Sequence, residues 1–80
     1  MVADQSEAEL REELRLVEEE LAELRNEVAE VRRRLGERAD APTDAAEIAR
    51  ILTTAEEQEA FIAQLESRRD ELLDRLGQRR

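Results

Sequence analysis

Residues 10–35 read LREELRLVEEELAELRNEVAEVRRRL, and their spacing decides the fold. Leu10, Leu14, Val17, Leu21, Leu24, Val28, Val31 and Leu35 follow one another at steps of 4, 3, 4, 3, 4, 3 and 4. An α-helix turns once per ~3.6 residues, so alternating steps of three and four hold every member on one narrow stripe. With Leu14 at heptad position a, Leu21, Val28 and Leu35 share it, and Leu10, Val17, Leu24 and Val31 occupy d. The ends of the stretch carry their own signals. Ser6 is an N-cap whose Glu9, three residues on, completes a capping box. Acids crowd the first turns and Arg32, Arg33 and Arg34 the last, both favourable to the helix dipole. Gly36 offers a left-handed C-cap. A first helix is expected over about 6–36.

Residues 37–43 read as the connection, with the only Pro (Pro42) among small and polar neighbours. A second helical arm is expected over about 44–76, starting at Thr43 or Asp44, with Asp44 and Glu47 a cap-like pair. Ile48, Ile51, Leu52 and Ala55 share one face, and Phe61, Ile62, Leu65, Leu72, Leu73 and Leu76 extend it until Gly77. Gln58 and Arg69 fall where apolar residues belong. Such residues can fix register, but the simpler reading has Arg69 snorkelling to Glu12 or Glu13. At 53–54 two readings compete. Thr54 with Glu57 forms a capping box, which favours a break, whereas a continuous helix requires only that two Thr be tolerated, each costing a few tenths of a kcal/mol.

Two arms of matched length joined by a short turn suggest an antiparallel hairpin. Charge supports the same arrangement independently. Residues 1–30 carry a formal charge of −8, 31–38 of +3, 39–67 of −6 and 68–80 of +2. Folding back near residue 41 sets the acidic start of the first helix beside the basic end of the chain and Arg32–Arg34 near Asp44 and Glu47, pairing residues whose numbers total about 82, such as Val17 with Leu65 and Leu10 with Leu72. The fold class is therefore all-α, a helical hairpin of the coiled-coil kind forming one domain over 1–80.

Composition restricts what such a hairpin does. Twelve of its 32 apolar residues are Ala, so the large side chains available to a core are few. Phe61, Leu73, Ile51 and Leu16 widen the apolar stripe beyond the narrow seam, as bundle helices require. Two hairpins packed as a four-helix bundle would bury these residues, and a homodimer is the expected state. Which dimer topology forms is left open. Phe61, the sole aromatic, is read as a core anchor of that dimer.

The chain contains no Lys, His, Cys, Trp or Tyr. Without His or Cys, catalysis near neutral pH would fall to carboxylates, and the runs Glu18–Glu20 and Glu56–Glu57 point around a helix rather than toward one another. No enzyme activity, cofactor or metal site is expected. A net charge of −9 opposes binding to nucleic acid or anionic membrane. No run approaches a membrane span, and the start lacks the basic and apolar regions of a signal peptide, so a cytoplasmic location is expected. Arg32, Arg33, Arg34 and Arg38 form the one concentrated basic patch. They offer an anion site, against a plainer reading in which they complement the dipole and pair with Asp40, Asp44 and Glu47.

The expected function is a non-enzymatic interaction or scaffold protein that self-associates and binds a helix of another protein. A small transcriptional regulator, docking on a sigma factor or RNA polymerase, is the alternative. An anionic-ligand sensor acting through Arg32–Arg38 is a weaker one.

Overall fold

The computed structural model describes residues 5–37 and 44–77. Two α-helices of 31 residues each make up the fold, α1 (Glu7–Glu37) and α2 (Ala45–Arg75). Each is about 46 Å long at 1.5 Å per residue. The molecule measures 58 × 23 × 20 Å, the outline of two rods lying side by side. Ion pairs joining Glu13 to Arg68 and Arg32 to Glu59 fix the antiparallel sense. Among the described residues, no helix is long and apolar enough to cross a membrane.

Both helices begin where side chains can satisfy their first free N–H groups. The Ser6 hydroxyl accepts from the Glu9 backbone N–H at 3.1 Å, and the Glu9 carboxylate accepts from the Ser6 backbone N–H at 2.9 Å. This is the reciprocal capping box expected of that pair. The hydrogen bonds from Ser6 hold the Glu9 carboxyl below its ordinary range. At the second start, the Asp44 side chain accepts from the Ala46 N–H at 3.0 Å.

The ends differ from one another. α2 stops at Leu76, and Gly77 takes a left-handed φ of 69° that other residues adopt only with strain. Gly36 does not play this part. α1 continues past it to Glu37, and Gly77 is the only positive-φ residue among those described. The extension to Glu37 is supported by Arg33, which reaches back to Glu30 and forward to Glu37. Arg38, Asp40, Pro42 and Thr43 lie outside the described residues.

The favoured break at Thr53–Thr54 is absent, and α2 runs straight through it. The reason lies one residue on. Ala55 is buried against α1, and Ile48, Ile51, Ala55, Gln58, Ile62, Leu65, Arg69, Leu72 and Leu76 keep steps of three and four across the Thr pair. A cap at Thr54 would require non-helical backbone there and would rotate one half of this stripe away from α1.

The core is concentrated in the half away from the turn. Leu10, Leu14, Val17, Leu21 and Leu72 form its buried cluster, with Ile62, Leu65, Leu73 and Leu76 packed against it. Leu21 and Leu72 are the most enclosed, at 1% and 0% exposure. Nearer the turn, Val28 and Ala55 are buried, but Leu24, Val31, Leu35, Ile48 and Ile51 are only half-buried. Ala55 supplies no volume beyond one methyl group, so the large side chains around it lack a partner to enclose them.

Candidate interaction surface

The flanks of the seam are closed to different degrees. On one side Arg25 donates to Glu66 at 2.6 Å and Arg32 to Glu59 at 2.5 Å. Glu59 and Glu66 lie one heptad apart, and Leu52 precedes them by another seven residues. Leu52 therefore belongs to this flank at 39% exposure rather than to the seam, where Ile51 stands instead. On the opposite side Arg68 donates to Glu13 at 2.6 Å, and Gln58 donates to Glu27 at 3.2 Å. Phe61 lies one heptad before Arg68 and shares that side.

This second flank is an open apolar groove. At mid-length it is lined by Leu24, Thr54, Glu57, Gln58 and Phe61. Thr54 carries it on toward the turn, where Val31, Glu47, Arg50 and Ile51 line it. Phe61 is 44% exposed and Leu16 52%, so the most water-accessible large apolar side chains of α1 and α2 stand outside the hairpin's own core. Of these, Phe61 lines the groove, beside the half-buried Leu24.

The polar seam positions resolve differently from expectation. Arg69 is held beside Asp70 at 3.4 Å, and its neighbour Arg68 is the residue that meets Glu13. Glu12 pairs within its own helix to Arg15 at 2.7 Å. One residue is about 100° of helix rotation, which separates the seam from its flank. Hydrogen bonds from Arg68 and then Gln5 lower the Glu13 carboxyl, with Arg68 and Arg75 adding Coulombic attraction. Gln58 is less well served. Its Nε2 reaches Glu27, but its Oε1 is buried with no hydrogen-bond partner.

Within the basic patch, the described Arg32, Arg33 and Arg34 are engaged by carboxylates other than those expected. Arg32 meets Glu59, Arg33 meets Glu30 and Glu37, and Arg34 lies 3.4 Å from Glu30. Arg33 lowers the Glu30 carboxyl chiefly by hydrogen bonding. Arg33 and Arg34 share the Glu30 carboxylate, while Arg32 turns to Glu59 of α2. The Arg15–Glu19 contact continues the same pattern of pairing within α1.

The acids are not so balanced. Among the described residues, Glu18, Glu20, Glu23, Glu56 and Glu57 make no ion pair or side-chain hydrogen bond, and of the Arg residues Arg50 alone lacks an ion pair. Glu57 lines the groove directly. Glu20 lies one heptad from both Glu13 and Glu27, the two acids of α1 that reach across this flank. Nothing in the sequence numbering of a single helix reveals this groove. It follows from which flank each arm turns to the other. No protein family, curated protein or solved structure matches the chain.

Proposed function

We propose that this protein is a non-enzymatic helical interaction module that works by packing its open flank against further helices. The observation that carries this reading is the groove beside Leu24 and Phe61, where a seam well filled at one end is left half-covered at the other. Apolar area removed from water contributes ~25 cal/mol per Å², so covering Phe61, Leu24, Val31 and Ile51 stabilises any helical complex that does it. A second copy is the simplest cover. Two hairpins meeting through this flank form a four-helix bundle, and in the absence of another protein they do so at micromolar concentration.

Sedimentation equilibrium tests the reading. A mass of two chains is expected at micromolar concentration. A well-folded single chain that also binds no amphipathic helix would overturn it.

A further inference from the structure

We infer that the preferred occupant of the Leu24–Phe61 groove is a basic amphipathic helix of another protein rather than a second copy of this chain. The inference rests on the interaction-module reading and names the partner's chemistry. Its argument is charge complementarity around an apolar floor. The floor comes from Leu24 and the exposed face of Phe61. A rod of this length presents it to an occupant lying along the hairpin, which suits an extended helix better than a compact ligand. Such a helix would bury its apolar anchors at i, i+3, i+4 and i+7 in the groove.

The rim decides what flanks those anchors. Glu57 lines the groove, Glu20 lies on the same flank of α1, and neither has a cationic partner among the described residues. Glu27 lines an adjoining hollow with Gln58 and Arg34, and is engaged by the neutral Gln58 amide. Arg68 sits at the far end but is taken by Glu13 and Glu71. Arg50 and Arg34 lie toward the turn, away from Phe61. The groove's middle is therefore apolar with a negative border. A second copy meeting it face to face brings an identical acidic border, and like charges across an interface oppose association. A helix with Arg or Lys beside its apolar anchors brings the opposite charge to Glu20 and Glu57. Both arrangements cover the same floor, and only the second also neutralises the rim.

Two synthetic helices of about five turns test this, one built from Leu and Lys and one with every Lys replaced by Glu. Binding to the full chain is read by fluorescence anisotropy at low and at high salt. The Leu/Lys peptide should bind one per hairpin, at least about tenfold more tightly than the Leu/Glu peptide, and should weaken as salt screens the rim. It should also convert any dimer of the chain to a one-to-one complex. Phe61→Gln and Leu24→Gln should each abolish binding, with helicity checked by circular dichroism. Glu20→Gln combined with Glu57→Gln should weaken binding several-fold, and Glu56→Gln should leave it unchanged.

Equal binding of the two peptides would overturn the inference, as would Leu/Lys binding that survives Phe61→Gln, since that would be attraction to an acidic chain at large. A chain that dimerises through Phe61 yet ignores the Leu/Lys peptide refutes the basic partner and keeps the module. A chain that neither dimerises nor binds either peptide refutes both.

Discussion

Truncating Leu21 to Ala removes three carbons from the most enclosed side chain of α1, 1% exposed among Leu10, Leu14, Val17 and Leu72. Large-to-small substitutions of this kind cost roughly 2–5 kcal/mol, the spread reflecting how far the surroundings collapse into the space. Here collapse is partly available, because two helices unconstrained by a second layer can shift toward one another. The expected loss is therefore about 2–3 kcal/mol, in the lower part of that range. A chain of this length has a total stability of roughly 4–12 kcal/mol, so the loss is a large fraction of it. It corresponds to a fall in melting temperature of about 10–20 °C for a domain of this size. The comparison is Leu16→Ala, chemically the same change at a side chain 52% exposed, which should stay within about 0.5 kcal/mol of the parent. Urea and thermal unfolding followed by helical circular dichroism, at the lowest usable concentration, give both values. Equal losses for the two variants would refute the heptad assignment on which the fold account rests.

Three further outcomes follow from single contacts. Gln58→Leu replaces a seam residue whose buried Oε1 has no partner, and leaving such an acceptor unsatisfied costs ~1–3 kcal/mol; the variant should melt higher than the parent, and a lower melting temperature would show that the bond to Glu27 matters more. Glu13→Gln removes the carboxylate that Arg68 holds below its ordinary range. A depressed carboxyl contributes stability above its unfolded pKa and loses it as pH falls through the folded one. The variant should therefore be less stable by ~0.2–1 kcal/mol at pH 7 and equal to the parent at pH 2, with a difference independent of pH counting against the ion pair. Ser6→Ala removes one half of the capping box and should cost ~0.5–2 kcal/mol, read in the same unfolding assay, with no loss indicating a frayed first turn.

Much of this fold was legible because heptad spacing constrains a helix more tightly than composition does. The Leu10–Leu35 stripe gave α1 and its buried residues, and Ser6–Glu9 and Asp44 gave the starts of both helices. The charge blocks gave the antiparallel sense. The register was less exact. Glu13–Arg68 lies within one residue of it, but Arg25–Glu66 and Arg32–Glu59 are displaced by roughly two and a half turns, an offset shared between long side chains and the helices themselves. What the sequence hid were decisions between a local preference and a distant contact. Thr54 and Glu57 favour a local cap, but the burial of Ala55 against α1 keeps the helix intact. Gly36 can adopt a left-handed turn, but Arg33 and Glu37 extend the helix past it. The choice between Arg68 and Arg69 for Glu13 depends on rotation by a single residue. The groove was harder still: the sequence sets Phe61 off the seam but not which flank it faces, and packing puts Ile51 rather than Leu52 in the seam.

Whether the Phe61 flank takes up further helices is read from the melting temperature measured against protein concentration. Binding that is specific to the folded state raises stability by mass action, so association appears as a melting temperature that climbs with concentration. The parent chain is predicted to show that climb, and Phe61→Gln, folded but with a polar side chain at the groove, is predicted to melt at one temperature throughout. A parent chain whose melting temperature is flat with concentration and unmoved by the Leu/Lys peptide, or a Phe61→Gln variant that climbs in parallel with the parent, would contradict the account.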